Sequence, residues 1–159
     1  MSLLLPSSFY PQPLRPASLH PAYAAAEAFM NAAGTGDDAT ALPLLSDDLQ
    51  AYVREMCPGG RVSACIDAYI PPEWGGLIKA IYRRAIPSAG SRAFDILLVA
   101  TYEEGIGFSG VCIYHRAEEV LPGDWRITAW AGFLHCEEPA ADLSRLRRTD
   151  AVNRAPAAE

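Results

Sequence analysis

The sequence predicts an α+β fold in which helices cover one side of an antiparallel meander. The N-terminal half shows helical spacing of apolar residues, whereas residues 92–136 are rich in Val, Ile, Tyr, Phe and Trp, which favour strands. Turn residues divide this second half into three strands, with Glu104-Gly105 in the first gap and Pro122-Gly123-Asp124 in the second. Helices followed by consecutive strands are typical of a helix layer packed on a sheet.

The first helix is predicted over residues 20–33. Pro21 is tolerated in a first helical turn, Tyr23, Ala26 and Phe29 lie on one apolar stripe, and Gly34 begins a glycine-containing stop.

Further short helices are predicted before the strands. Asp37 or Asp38 caps a helix over residues 39–45, and Ser46 caps another over residues 49–56. Residues 61–70 form a short helix or an irregular turn, which Pro71-Pro72 ends.

Residues 74–86 fit two periodicities. Leu77, Ile81 and Ala85 have helical spacing, but Ile78, Ala80 and Tyr82 alternate as in a strand. We predict a strand, because the loop that follows is short and the strand after it needs a neighbour.

Length and composition predict one domain and disfavour several classes of partner. The 159-residue chain has a net charge of −6 and a single lysine, Lys79, so it lacks the basic surface that nucleic acids or anionic membranes require. No apolar stretch approaches the roughly 18 residues of a membrane span.

Residues 1–20 form a Pro-rich arm or linker, and residues 138–159 form a polar C-terminal tail. Five prolines between Pro6 and Pro21 favour an extended spacer. We expect an exported protein that is tethered by this arm or secreted. The alternative is a cytoplasmic protein whose arm packs on its own domain.

The strands predict a sheet with two apolar faces. With Glu103 opposite Ile106 and Leu121 opposite Asp124, the register sorts side chains by parity. One face carries Phe94, Ile96, Leu98, Ala100, Tyr102, Val111, Ile113, His115, Thr128, Trp130 and Leu134; the other carries Leu97, Val99, Phe108, Cys112, Tyr114, Trp125, Ile127, Ala129 and Phe133. In an antiparallel sheet packed on helices, one face is commonly solvated and polar. Here both faces are apolar at their centres, so something must cover the second face. We predict that a second copy of the chain covers it, which gives a homodimer through the sheet.

Four cysteines divide into two pairs. Cys57 and Cys65 flank a tight loop and are predicted to form a disulfide, which fits an exported protein; the alternative is a reduced pair in the cytoplasm. Cys112 and Cys136 lie out of register on neighbouring strands, so we expect free buried thiols.

No metal motif, phosphate loop or dinucleotide fingerprint occurs, so we predict no metal and no cofactor. His115 is the best candidate for site chemistry, because it shares an apolar face with Tyr102 and Trp130 and has an ordinary pKa near neutrality. Together with Tyr82, these residues are predicted to line an apolar binding cavity. The alternative is that all are plain core residues.

The order of elements resembles the nuclear transport factor two-like superfamily, which includes ketosteroid isomerase and polyketide cyclases. The likeness rests on AYAAAEAFMNAAGTGDDATALPLLSDDL and GDWRITAWAGFL, and it covers residues 21–137. It implies a cone-shaped, cystatin-like roll: a curved sheet that wraps a pocket closed by the first helices, with frequent dimerisation. Asp95 falls on the opposite face by parity, which departs from the Asp-plus-Tyr arrangement of the enzyme members.

We therefore expect a non-catalytic accessory domain that binds a small apolar or amphipathic molecule or a protein. The alternative is a small isomerase, dehydratase or cyclase with His115 as general base and Tyr102 as hydrogen-bond donor. A third possibility is a purely structural dimerisation module.

Overall fold

A computed structural model describes residues 19–68, 70–87 and 92–130. The helices are α1 (Pro21–Gly34), α2 (Asp38–Ala41), α3 (Asp47–Met56) and α4 (Val62–Asp67), with 3₁₀ turns at Leu42–Leu44 and Pro58–Gly60. The strands are β1 (Trp74–Pro87), β2 (Ala93–Glu104), β3 (Gly107–Leu121) and β4 (Asp124–Trp130). The predicted α+β class is confirmed, and segment 74–86 is a strand as predicted. Residues 1–18 of the predicted arm and the predicted tail lie outside the described residues.

The four strands form one curved, unclosed antiparallel sheet in the order β1-β2-β3-β4. Both hairpin turns place a glycine at positive φ, Gly105 at 57° and Gly123 at 78°. A glycine adopts this conformation without the Cβ clash that other residues would meet. Tight turns therefore bring consecutive strands side by side, which explains the meander.

Side-chain caps begin three of the helices. The Ser46 hydroxyl accepts a hydrogen bond from the Leu49 amide at 3.4 Å, and the Asp37 carboxylate accepts one from Thr40 at 3.2 Å. These two caps match the predicted helix starts. At α1 the cap is His20, whose Nδ1 accepts from the Ala22 amide at 3.0 Å. Each cap satisfies an amide that lacks a partner within the helix.

Helix α1 packs on one face of the sheet, as predicted, and contacts all four strands. Its alanines at 22, 26 and 33 are fully buried, so the helix backbone approaches the sheet closely. Phe29 and Met30 extend from this helix into the main core. The main core thus lies between this face of the sheet and the helices.

Two polar side chains of α1 bind the backbone of β1, which is an edge strand. The Asn31 amide both donates to the Ala80 carbonyl and accepts from the Ala80 amide, each at 2.9 Å. Glu27 accepts from the Tyr82 amide at 2.6 Å. Unpaired edge groups are a template for pairing with other chains. Here α1 occupies part of that edge.

The register of β4 corrects the predicted assignment of faces. Leu121 pairs with Asp124 as expected, but register shifts follow, and Ala117 pairs with Ile127 while Arg116 pairs with Ala129. Thr128 is the additional residue between these pairs. Trp125 and Ile127 therefore join the main core, contrary to the prediction, because each bulge moves the following side chains to the other face.

The face of the sheet opposite α1 carries a second small core that is buried within a single chain. It contains Leu97, Cys112, Tyr114 and Ala129, and each is at most 8% exposed. Asp95 lies on this face and forms an ion pair with Arg116 at 3.0 Å. Since these apolar residues are already buried, they do not by themselves require a second copy, and the homodimer stays a prediction.

Cys57 and Cys65 form the predicted disulfide, with a Cα–Cα distance of 5.3 Å. Cys112 is also disulfide-bonded, so the prediction of a free thiol there is wrong. That prediction assumed strand register as far as Cys136, whereas described pairing of β4 ends at Trp130, and Cys136 lies outside the described residues. Disulfides are typical of oxidising compartments.

Candidate functional site

A small open cleft lies where α1 and α4 end and β1 begins. Its volume is about 220 Å³. Its lining combines one acidic residue, two aromatic residues and several apolar residues. The lining residues are Gly34, Asp67, Ile70, Pro71, Pro72, Trp74, Gly75, Gly76, Leu77 and Tyr102.

The local sequence explains why a cleft forms at this position. Helix α1 ends at Gly34, where an added Cβ would overlap the Leu77 side chain, so glycine permits this close approach. Pro71-Pro72 prevents α4 from continuing into β1. The pairing of β1 with β2 shifts between Trp74 and Leu77, so the first residues of β1 depart from regular pairing. The result is a gap between the two helix ends and the sheet.

Tyr102 forms the inner wall of the cleft, and its side chain is fully buried behind the surface of the cleft. It pairs across the sheet with Leu77, and its ring centroid lies 5.8 Å from that of Trp74. Burial, and secondarily the negative charge of Asp67, raise the pKa of the Tyr102 phenol far above its ordinary value. The phenol therefore stays protonated at neutral pH and can donate a hydrogen bond.

Asp67 is the exposed acidic residue of the cleft. It is the last residue of α4, and its carboxylate has no hydrogen bond or ion pair within the described part of the chain. Its charge acts on Tyr102, so the two groups share one electrostatic environment. The cleft thus combines an acceptor with a negative charge, a phenol donor and an indole ring.

His115 lies in the core and does not line this cleft. It is fully buried, its ring contacts Phe29 with a centroid distance of 5.4 Å, and it pairs with Ile96 and Trp130 across the sheet. Neither ring nitrogen has a hydrogen-bond partner among the described residues. Burial lowers the pKa of His115 to about 3, so the ring is neutral at physiological pH.

The other predicted binding residues, Trp130 and Tyr82, do not line the cleft either. Trp130 is buried, with Phe29 at 6.2 Å and Tyr52 at 6.3 Å between ring centroids. Tyr82 is half-buried and stacks on Tyr23 at 4.5 Å. Burial, and then the neighbouring Tyr23, raise the pKa of Tyr82. Of the four predicted residues, only Tyr102 lines the cleft.

The structure does not bring His115 and Tyr102 together. Tyr102 pairs with Ser109, and His115 lies six residues further along the same strand. At about 3.3 Å per residue, this corresponds to roughly 20 Å along β3. The predicted pairing of a His115 base with a Tyr102 donor therefore lacks a common site in this conformation.

Sequence reasoning missed Asp67, Trp74 and the glycines of the cleft. The run PPEWGG is an available signal, because prolines and glycines on both sides of a tryptophan are unusual at the start of a strand. From the sequence alone, its prolines indicate only the end of the preceding helix. Its proximity to Tyr102 depends on a strand pairing that no local pattern reveals.

A second depression, of about 260 Å³, is lined by Asp47, Val120, Leu121, Asp124 and Arg126. Its charges are already paired, since Arg126 contacts Asp124 at 3.1 Å and Asp47 at 3.3 Å. It therefore offers a ligand fewer uncommitted polar groups than the first cleft.

No group of three or more His, Cys, Asp or Glu residues suited to a metal ion occurs in residues 19–68, 70–87 and 92–130. Over the same residues, no helix is long and apolar enough to cross a membrane.

Comparison with known proteins finds no matching family model, no similar curated protein and no similar solved structure. The fold and the geometry of the cleft therefore carry the functional argument.

Proposed function

We propose that this protein is a non-catalytic accessory domain that binds a small apolar or amphipathic molecule in the cleft between Asp67, Trp74 and Tyr102. The observation that carries this proposal is the convergence of a half-buried indole ring and an exposed carboxylate on one open cleft, with the buried, protonated phenol of Tyr102 behind them. Ligand sites typically combine an apolar lining with a few polar groups that orient the ligand.

The size of the cleft limits the ligand. Its volume of about 220 Å³ is below the roughly 300–1,000 Å³ that is typical of pockets for drug-sized molecules. A single ring with a short side chain fits such a volume. The apolar part of the ligand would contact Trp74 and Leu77, and its polar end would face Asp67 or Tyr102.

The cellular setting belongs to the same proposal. We propose an exported protein, tethered by its Pro-rich arm or secreted, because Cys57, Cys65 and Cys112 are all disulfide-bonded. The nuclear transport factor two-like superfamily remains our proposal for its ancestry, supported by the four helices and the curved four-stranded antiparallel sheet. A homodimer through the sheet remains part of this proposal.

A fragment screen followed by amide-resolved NMR titration tests the binding function. Ring-containing fragments should shift the resonances of residues that line the cleft, and Trp74→Ala should abolish these shifts. Phe108→Ala is the matched control, because Phe108 is 70% exposed but is not among the lining residues. Binding that survives Trp74→Ala, or shifts confined to another surface, would contradict the proposal.

Gly76 offers a complementary variant. It lines the cleft, and a Cβ at this position would meet no atom within 4 Å. Gly76→Phe should therefore narrow the cleft and reduce fragment binding. Its melting temperature should be unchanged or higher, because an aromatic residue suits a strand better than glycine. Together these results would separate loss of binding from loss of folding.

One observation favours an enzyme as the second candidate. Asp67 is a carboxylate base and the Tyr102 phenol is a donor in the same cleft, which is the combination needed to remove a proton beside a carbonyl group. We would test it by following deuterium exchange into cyclohexanone by NMR. Catalysed exchange that both Asp67→Asn and Tyr102→Phe abolish supports this candidate. Exchange no faster than in buffer opposes it.

A further inference from the structure

We infer that the cleft selects a cationic ligand, namely a small amine that carries one ring or a short apolar body. This inference rests on the proposed binding function, and it adds the charge of the ligand. It follows from three independent features of the cleft: its carboxylates, the helix ends that face it, and its aromatic rings.

One carboxylate lines the cleft and a second lies beside one of its lining residues. Asp67 lines the cleft directly, without an ion pair in the described part of the chain. The Glu103 carboxylate lies beside Gly75, where an added Cβ would approach its Oε2 to 2.8 Å. No lysine or arginine is among the lining residues. Charges of one sign around a cleft concentrate ligands of the opposite sign.

The helix backbone contributes negative potential in the same place. Helix α1 has 14 residues, and its last residue, Gly34, lines the cleft; Asp67, the last residue of α4, lines it as well. The C-terminal end of a helix carries a partial negative charge. At α1 part of this charge is offset, because the Ala32 and Ala33 carbonyls accept hydrogen bonds from amides of the following turn. What remains of the helix-end potential has the same sign as the charge of Asp67.

The aromatic residues suit the same ligand. Trp74 is half-buried in the lining, and the face of its indole ring attracts an ammonium group; the neighbouring Tyr102 ring is fully buried. A ring on the ligand can pack against the indole while the ammonium group reaches Asp67. An anionic ligand with the same ring could pack against the indole, but it would lack the contact of an ammonium group with Asp67 and would be repelled by that carboxylate.

A set of three matched probes tests the inference. Phenethylamine, phenethyl alcohol and hydrocinnamate share a phenyl ring and a two-carbon chain, and at neutral pH they are cationic, neutral and anionic. Affinities are measured by NMR titration of the cleft resonances at low and at high salt. We expect the amine to bind about tenfold more tightly than the alcohol and the carboxylate to bind most weakly. High salt should reduce the preference for the amine.

Asp67→Asn removes the charge while retaining the shape. The variant should bind the amine and the alcohol with nearly equal affinity, and its melting temperature should match that of the parent, because Asp67 is exposed. Glu55→Gln is the matched control: it removes one exposed carboxylate of α3 that is not among the lining residues, and it should leave the preference intact.

The outcomes separate the two proposals. Equal binding of the amine and the alcohol by the parent protein, or tighter binding of hydrocinnamate, would overturn the charge selection while leaving the cleft as a binding site. A preference for the amine that survives Asp67→Asn would likewise overturn it. Failure of all three probes, together with a negative fragment screen, would overturn the binding function itself.

Discussion

Replacing His115 by leucine should stabilise the protein and remove part of its sensitivity to acid. The imidazole is fully buried beside Phe29, and its two nitrogens have no hydrogen-bond partner among the described residues. A buried polar group without a partner costs about 1–3 kcal/mol of stability. Leucine has a similar volume and no polar atom. At pH 7 we therefore expect His115→Leu to increase the free energy of unfolding by about 1–3 kcal/mol.

The pH dependence has a definite sign. Burial lowers the pKa of His115 from 6.5 to about 3, so below pH 6.5 the unfolded chain binds a proton that the folded protein does not. Stability is thus full above pH 6.5 and falls as the pH decreases toward about 3. The slope is about 1.4 kcal/mol per pH unit, which corresponds to a loss of about 2 kcal/mol by pH 5.

Urea denaturation at pH 7 and pH 5 measures this loss. The difference between the two pH values should be about 2 kcal/mol smaller in His115→Leu than in the parent, because other titrating groups contribute equally to both proteins. His115→Gln is the matched control, since glutamine keeps a buried polar group but does not titrate. We expect it to lose the same pH dependence without the gain in stability at pH 7.

Two results would refute this reasoning. An unchanged pH dependence in His115→Leu would show that the imidazole is not buried in its neutral form. A large loss of stability at pH 7 in the same variant would show that the ring nitrogens have a partner that contributes to folding.

Three further predictions concern cross-links, the sheet edge and assembly. The double variant Cys57→Ala, Cys65→Ala should lower the free energy of unfolding by about 2.6 kcal/mol, because the disulfide closes a loop of about nine residues and restricts the unfolded chain. In a separate measurement, thiol titration of the unreduced parent should find at most one free sulfhydryl. Finding two or more would contradict the bonded state of Cys112. Asn31→Leu should cost about 1–3 kcal/mol in urea denaturation, because both backbone groups of Ala80 lose their partner; an unchanged midpoint would show that water replaces the amide. The homodimer predicted from the sequence should sediment at about twice the monomer mass of 17.2 kDa, and a monomer at micromolar concentration would exclude it.

Local chemistry was sufficient to predict those features whose cause and effect lie within a few residues of each other. Ser46 caps α3 because a serine oxygen reaches an amide three residues later. Leu121 pairs with Asp124 because a tight turn with glycine at positive φ leaves few registers. Cys57 and Cys65 meet because the loop between them is short. The order of helices and strands followed from the same kind of local signal.

The candidate site depended on contacts between distant segments. Sequence parity correctly placed Tyr102, His115 and Trp130 on one face, but a face of the sheet is not a site. His115 and Trp130 pack on Phe29 of α1, whereas Tyr102 lies at the open end beyond that helix. Which of them reaches a cleft depends on how the end of α1 lies on the sheet, and the close approach of Gly34 to Leu77 is a contact between distant segments.

The sequence by itself determined the fold class, the helix starts, the hairpin turns and the Cys57–Cys65 disulfide, because propensity, capping and short loops act over a few residues. Only the tertiary structure decided that Ile127 faces the main core and that Asp67 lies beside Tyr102. The first depends on one additional residue in β3, Val120, which shifts the register after the Leu121–Asp124 pair and reverses the faces without changing composition. The second joins residues that are distant in sequence through the packing of α4 and β1, so neither has a local signature.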